Sequence, residues 1–411
     1  MALTINTNIN SLDAQRNLNM SAASLATSMQ RLSSGLRVNS AKDDAAGLAI
    51  AERMNSQVRG LTVASRNSND GISLAQTAEG ALGQVGDMLQ RMRELAVQSG
   101  NSTNSADDRK ALQAEVSQLS DEIDRVAKQT AFNGQKILDG SFAGAVFQVG
   151  AGAGDNITVG KLTDSRAAEL SHVAYAYSQQ TGIQASSITD LSAQTSTSAF
   201  TIDDGTTTWN LGAIASASSG SERLGQLVEA INRKSADTGV TAFLSQASDG
   251  TYTVDLNSSK LNSAGDAATL TLNGGFTATN FGVAGGAIGT IGGTAKQLSA
   301  TDTTTDSLGI DTLTVDTQSH AWVALKKIDS AIDQVNSARA SLGALQSRFT
   351  SAVSNIGIQV ENISASRGRI VDADFAAETA NLSRTQILQQ AGTAMVAQAN
   401  QLPQQVLSLL K

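Results

Sequence analysis

The sequence predicts a mixed, mainly α protein in which long N- and C-terminal helices pair in coiled-coil fashion and a β-rich (α+β) region is inserted between them. Three observations predict this fold class. From residue 11 to about 140, and again from about residue 320, apolar residues alternate between spacings of four and three, the period of one coiled-coil face. The middle of the chain instead alternates apolar and polar residues between glycine-containing turn signals, as strands do. A single proline, Pro403, leaves almost the whole chain free to form uninterrupted helix.

The N-terminal part is expected to contain three helices. The first carries an apolar seam formed by Leu18, Ala22, Leu25, Met29, Leu32 and Leu36. The same spacing runs through residues 78–96 and again through 112–126. Between these two segments, Ser105 and Asp108 have the spacing of a capping box at a helix N-terminus. The two segments are therefore expected to form an antiparallel helical hairpin.

The middle of the chain, roughly residues 141–318, is expected to form strands and hairpins around one amphipathic helix at 223–239. Four segments have alternating patterns beside Asp-Gly, Gly-Gly or Asn-Gly turns, and these are 147–162, 199–214, 250–259 and 266–283. Their number and spacing do not select one sheet arrangement.

The C-terminal part returns to helix. Its first seam is interrupted only by Arg339 and Gln346 and comprises Ile328, Ile332, Val335, Leu342, Phe349, Val353, Ile356, Val360 and Ile363. A helix of this extent is about 54 Å long at 1.5 Å per residue, which suits a bundle or fibre. The final stretch, 385–411, has one charged residue, Lys411, and a seam of Leu388, Ala391, Met395, Leu402, Val406 and Leu409. Such a helix is expected to contact other protein on nearly every side.

The charge balance and composition argue against several classes of protein. A net charge of −8 is opposite to the basic footprint of a nucleic-acid binder or of a protein attached to an anionic membrane. The sequence contains no run of 18 apolar residues, which is about the length that a helix needs to cross a bilayer. The first residues do not resemble a cleavable secretory signal, which requires a basic segment followed by an apolar one. Cysteine is absent, so disulfides and thiolate sites are excluded.

An enzyme is not expected from the residues that could carry chemistry. His172 and His320 lie far apart and outside any metal-ligand spacing. The glycine-rich segments 150–154 and 285–293 lack the lysine and Ser/Thr of a phosphate-binding loop. Paired carboxylates such as Asp43–Asp44 and Asp107–Asp108 fit helix N-termini, while others, Asp203–Asp204 and the cluster Asp121, Glu122 and Asp124, fit a turn and a solvated helix face. We therefore predict no catalytic residue, no metal site and no cofactor.

Several long stretches resemble bacterial flagellin. Residues 4–18, 30–54, 69–82, 90–101 and 129–138 resemble its N-terminal region, for example QRLSSGLRVNSAKDDAAGLAIAERM and QTAFNGQKIL. Residues 369–410, RIVDADFAAETANLSRTQILQQAGTAMVAQANQLPQQVLSLL, resemble its C-terminal region. The helix at 223–239 with the following VTAFLS is similar to a small motif found in flagellin insertions.

The resemblance implies a subunit that polymerises into the flagellar filament used for motility, together with a division of the chain into domains. Residues 1–43 and 372–411 would form the inner core domain from the paired terminal helices. Residues 44–165 and 316–371 would form a helical rod with a β-hairpin, and 166–315 a variable, surface-exposed outer domain. The assembly seam would comprise Leu18, Leu25, Met29, Leu32, Leu36, Leu388, Met395, Leu402, Val406 and Leu409.

The resemblance also implies a location and partners. Flagellins leave the cell through the flagellar type III export channel and form an extracellular filament, with an export chaperone, a filament cap and hook-junction proteins as partners. An alternative is the hook–filament junction protein, which shares flagellin-like ends. An adhesin would place its function in the middle, and a flagellin with a peptidase insert would need a metal motif in 166–315.

Host recognition is a further implication. The positions that match a Toll-like receptor site of the family are Arg91, Leu95 and Glu115, and the four-residue spacing of the first two places them on one helix face. The C-terminal residues Val406, Leu407, Leu409 and Leu410 resemble the part of flagellin sensed by cytosolic innate receptors.

Overall fold

A computed structural model of the chain describes residues 8–194, 200–203, 206–261, 267–268, 270–274, 290–291 and 307–409. Its helices are α1 (Ile9–Ser34), α2 (Ala45–Ser99), α3 (Ala106–Gln129), α4 (Gly220–Asn232), α5 (Ser235–Thr238), α6 (Gln318–Val371) and α7 (Phe375–Leu409). The prediction of a mainly α protein with long terminal helices and a β-containing middle is confirmed. Nowhere in these ranges is a helix both long and apolar enough to cross a membrane.

The strands have two to eight residues. They are β1 (Ala131–Phe132), β2 (Gln135–Lys136), β3 (Ala145–Gln148), β4 (Asn156–Val159), β5 (His172–Val173), β6 (Ala176–Ile183), β7 (Phe200–Asp203), β8 (Thr208–Asn210), β9 (Val240–Gln246), β10 (Tyr252–Ser258), β11 (Leu270–Gly274), β12 (Thr290–Ile291) and β13 (Ser307–Leu308). Two sheets have more than two strands in the described part of the chain, with orders β6-β10-β9 and β12-β11-β7-β8. The pairs β1-β2, β3-β4 and β5-β13 form two-stranded sheets. The strand pairs in both larger sheets, and the pairs β1-β2 and β5-β13, are antiparallel.

The chain forms two compact units. The terminal unit comprises Met1–Gly71, Val146–Ile157 and Arg348–Lys411, and the central unit comprises Ile72–Ala145 and Thr158–Ser347. Helices α2 and α6 contribute residues to both units.

In the terminal unit, α1 pairs with α7 and the chain turns sharply next to both helices. Gly35 adopts a left-handed conformation, with φ of 70°, and ends α1. The Arg37 backbone N–H donates to Val371 O at 2.7 Å, and the Ala373 N–H donates to Gly35 O at 2.9 Å. Leu36 therefore lies beyond α1, in a bridge with Asp372, so its predicted place on the helical seam is wrong.

The remainder of the terminal unit packs α2 against α6 and the β3-β4 segment. Phe349 is fully buried, and the rings of Phe147 and Phe349 meet edge to face with centroids 5.4 Å apart. Gly71 lies directly against the Phe349 ring. The Asn67 side chain donates to Gln148 O at 3.0 Å, which fixes the hairpin on α2.

In the central unit, α2, α3 and α6 share one apolar core. The predicted seam residues Leu82, Val85, Leu89, Met92, Val116, Ile123, Ile328, Val335 and Leu342 are each at most 2% exposed. The predicted hairpin and capping box are confirmed: Ser105 Oγ accepts from the Asp108 N–H, and the Asp108 carboxylate accepts from the Ser105 N–H. Helix α6 continues through Arg339 and Gln346 and is longer than predicted.

A segment of residues 309–317 crosses this helical core and is fixed by side chains. Gln113 donates to Leu313 O at 3.0 Å and accepts from the Val315 N–H at 2.6 Å. Ser99 donates to Val315 O, and Lys327 donates to Gly309 O at 3.0 Å.

The predicted helix at 223–239 is interrupted, which corrects the sequence-based expectation. Helix α4 ends at Asn232, and the separate turn α5 ends at Thr238, followed by Gly239 with φ of 71°. The Asn232 side chain donates to Ala242 O at 2.8 Å and accepts from the Ala242 N–H at 2.7 Å. These two bonds hold the end of α4 against β9. A side chain that bonds to backbone outside its own helix favours the helix end. Beyond β11, the expected strand at 276–283 lies outside the described residues, as do Asp204 and most of 285–293.

Candidate assembly and recognition surfaces

The contact between α1 and α7 is made of small and polar side chains. Its buried residues are Ser11, Ala14, Ser28, Glu378, Thr385 and Ala399. Asn8 Nδ2 donates to Ala399 O at 2.8 Å, and Ser11 Oγ donates to Asn400 Oδ1 at 2.7 Å. A Cβ on Gly392 would lie 3.1 Å from Leu18 Cδ1, so a glycine permits this close approach. The pair is therefore closely packed but buries little apolar area.

The predicted apolar seam lies at the edge of this contact. Leu18, Leu25 and Leu32 are partly buried. By contrast Met29 is 56% exposed, Leu388 is 49% exposed and Met395 is 63% exposed. Ser28, Thr385 and Ala399 occupy the buried contact between the two helices instead, and the place of these three residues in an assembly seam stays a prediction. Leu402, Val406, Leu407 and Leu409 belong to α7, but their side chains lie outside the described part of the structure, and so does Leu410 entirely.

An open groove of about 410 Å³ runs between α1 and α7. Leu18, Met20, Leu388, Ala391, Gly392 and Met395 line it. Three more large apolar residues, close in sequence to the groove residues, face solvent on these two helices. They are Ile9, Leu12 and Ile387. The sequence analysis did not identify Leu12, Met20 or Ile387. These apolar residues lie off the 4-3 seam, and that position indicates a second apolar face.

The predicted recognition residues are only partly brought together. Arg91 on α2 and Glu115 on α3 form an ion pair, with 2.8 Å between Nη2 and Oε1, and both side chains are about half exposed. Glu94 also bonds Arg91, at 2.9 Å. Hydrogen bonds from Arg91 to Glu94 and Glu115 raise the pKa of its guanidinium, which stays charged.

Leu95 is 1% exposed and belongs to the central core. Of the two predicted residues on this part of α2, only Arg91 is therefore exposed. Four residues of α-helix turn about 40° past a full turn, and Leu95 is buried where Arg91 is exposed. Next to Arg91, Arg93 is held by Asp329 of α6 at 2.7 Å, a neighbour that sequence spacing could not reveal.

The two histidines lie in different surroundings. His172 is in β5, where Ser330 of α6 bonds its backbone. His320 is in the first turn of α6, and its Nδ1 lies 2.5 Å from Asp316 Oδ1. Among the described residues no group of three His, Asp or Glu side chains could hold a metal ion.

Comparison with known proteins gives a consistent result along the chain. Models of the bacterial flagellin N-terminal helical region and C-terminal helical region match residues 5–143 and 325–410, and the flagellin hook IN motif matches residues 199–264. Flagellin A of Vibrio anguillarum is 40% identical over 411 residues, and B-type flagellin of Pseudomonas aeruginosa is 38% identical over 492; each comparison covers 100% of both chains. The structure of flagellar hook associated protein-3 from Legionella pneumophila is 14% identical, with a TM-score of 0.41, and covers 78% of this chain and 98% of that one.

Long helices from the two ends of the chain pair with each other, and the sheets come from the residues between them in sequence. This arrangement is typical of a helical structural subunit. The relatives and matched regions make the assignment specific. The chain belongs to the bacterial flagellin family. As a flagellin it is a structural component of the bacterial flagellum and not an enzyme.

Proposed function

We propose that the chain polymerises into the flagellar filament that drives bacterial motility. The observation that carries this proposal is the exposed apolar face of the paired terminal helices, with Met20, Leu388 and Met395 around an open groove. Full burial of a side chain such as Leu or Met contributes roughly 1.5–3 kcal/mol, so covering this face with neighbouring subunits favours assembly. A contact between two different surfaces of identical subunits produces an open helical polymer when the rotation between neighbours does not close a ring.

We propose the domain boundaries given by the family resemblance. Residues 1–43 and 372–411 would form the inner core, 44–165 and 316–371 the rod, and 166–315 the outer part. Two features support these limits. Near the first boundary, Leu36 and Asp372 form an isolated β-bridge. Near the second, β5 pairs with β13. The compact units divide elsewhere, after Gly71 and before Arg348.

The assembly proposal is tested by making the groove polar without removing helix. Leu388→Gln with Met395→Gln is expected to lower filament yield at least tenfold, because two exposed apolar contacts are replaced by side chains that stay solvated. Light scattering and electron microscopy of the purified chain after seeding measure the yield.

The matched control keeps the groove apolar. Leu388→Met with Met395→Leu conserves apolar character and approximate volume, and is expected to polymerise normally. Normal filaments from the double glutamine variant would refute the role of this face.

Partners and location follow from the same proposal. We propose export through the flagellar channel, with an export chaperone, and an extracellular filament that contacts a cap and hook-junction proteins. The alternative, a hook–filament junction protein, predicts that the purified chain stops at short assemblies. Growth of micrometre fibres from the purified chain alone would exclude the junction protein.

We also propose that a host Toll-like receptor contacts the exposed Arg91–Glu115 pair, with Leu95 acting from beneath as a packing residue. Arg91→Ala is expected to lower receptor signalling by about tenfold or more, as truncation of an interface arginine often does. The fold should persist, because an exposed ion pair contributes at most about 1 kcal/mol. A receptor reporter assay with monomeric protein measures the effect.

Arg93→Ala is the matched control for this recognition test, since Arg93 lies on the same helix and is equally exposed, but bonds Asp329. It should leave signalling close to the wild-type level. Equal losses in both variants would contradict a specific site at Arg91. Sensing of Val406, Leu407, Leu409 and Leu410 by cytosolic receptors remains a separate proposal from family resemblance.

A further inference from the structure

The sheet β6-β10-β9 meets the start of α6 through buried polar side chains. On β10, Val254 and Leu256 point to the apolar core with α4, so the alternate residues Asp255 and Asn257 face the other way. Asp255 is 3% exposed and Asn257 is fully buried. Neither belongs to the surfaces described above.

Asn257 holds the first turn of α6 directly. Its Nδ2 donates to Ser319 O and to Ser319 Oγ, both at 3.0 Å, and Ser319 Oγ lies 3.2 Å from Asn257 Oδ1. These bonds join residues 62 apart in sequence. The contact is a fixed attachment of the inserted sheet to a rod helix.

Asp255 lies beside this attachment and is the titratable group within it. Tyr177 Oη on β6 donates to Asp255 Oδ1 at 3.2 Å, and the Gln179 side chain on β6 also bonds the carboxyl. From α6, the charge of His320 acts on Asp255, and His320 is itself bonded by Asp316. From β9, Phe243 is the residue opposite Asp255, and that strand has no charged side chain.

We propose that the buried Asp255 carboxyl makes the attachment through Asn257 and Ser319 a proton-dependent latch between the inserted sheet and α6, tighter in mild acid than at neutral pH. In acid the Asp255 carboxyl is uncharged and remains hydrogen-bonded. At neutral pH a buried negative charge lies on the same face of β10 as Asn257, and the attachment is weaker.

The direction of the pH effect follows from burial. Desolvation raises the pKa of Asp255 above its usual 3.8, against opposing effects of Gln179, Tyr177 and His320. The folded chain therefore keeps this proton over a pH interval in which the unfolded chain has lost it. The resulting stabilisation is fully present below 3.8 and is lost as the pH rises through the higher, folded-state pKa.

Trp322, two residues after His320, is a local fluorescent reporter of this junction. The chain has one other tryptophan, Trp209, so a Trp209→Phe background isolates the signal. Thermal unfolding of the full-length monomer would be followed from about pH 4 to about pH 7.5. Asp255→Asn, which keeps the shape but cannot ionise, is expected to raise the midpoint by about 2–4 °C at the upper pH and to give no gain at the lower pH. A gain independent of pH, or no gain at neutral pH, would overturn the latch.

Asp249→Asn is the matched control in the turn between β9 and β10. Asp249 is exposed, and hydrogen bonds from Thr251 lower its pKa, so its variant should show no gain at neutral pH. A gain equal to that of Asp255→Asn would mean that any lost carboxylate suffices.

Discussion

Removal of residues 388–411 is expected to abolish polymerisation while the central unit keeps its folded sheets. The deletion takes away the groove residues Leu388 and Met395 and exposes the face of α1 that α7 covers. The remaining α1 cannot bury enough apolar surface to offset the roughly 1–2 kcal/mol per residue lost on ordering a backbone. Electron microscopy after seeding should show no filaments, and circular dichroism should retain the β signal.

A larger deletion serves as the control. Val173 of β5 pairs directly with Ser307 of β13, so the segment between them begins and ends at adjacent points. Replacing residues 174–306 with an Asn-Gly turn should therefore preserve the strand pairing and the ability to polymerise. Filaments from the chain lacking 388–411, or none from the chain lacking 174–306, would contradict the assignment of assembly to the terminal helices.

Gly71→Ala is expected to destabilise the terminal unit by about 1–3 kcal/mol, the usual effect of overpacking a core. The added Cβ would lie 2.6 Å from Phe349 Cζ and 2.8 Å from Cε2. The ring cannot move aside easily, because it is fully buried and packs edge to face on Phe147. Urea denaturation followed by circular dichroism measures the free energy of unfolding.

Gly80→Ala is the matched substitution on the same helix. No atom lies within 4 Å of its added Cβ, so the helix should gain roughly 0.5–1 kcal/mol from the lower flexibility of alanine in the unfolded chain. The two variants make the same chemical change and should shift stability in opposite directions. Equal shifts would show that the Phe349 contact does not control the effect.

The features that could be predicted from sequence depend on neighbours close along the chain. The capping box at Ser105 and Asp108 involves residues three apart, and the core seam of α2, α3 and α6 depends on helical period alone. The resemblance of the chain ends to flagellin, read in the same residues, gave the family that the comparisons confirm.

Orientation within the terminal pair could not be predicted in the same way. The 4-3 spacing places Met29 on one face of α1, and it places Leu388 and Met395 together on one face of α7. Helices can approach more closely, however, along a stripe of small residues, and here Ala14, Ser28 and Gly392 provide one. The larger residues are consequently left at the edge, where a neighbouring subunit can cover them.

By itself, the sequence determined which segments are helix and where several of them begin and end, because hydrophobic period and caps act within a few residues. It also determined the family. The tertiary structure alone decided that Leu95 is buried while Arg91 pairs with Glu115, and that Asp255 is buried beside Tyr177. The physical reason is that burial and electrostatic environment depend on side chains from distant parts of the chain, which only packing brings together.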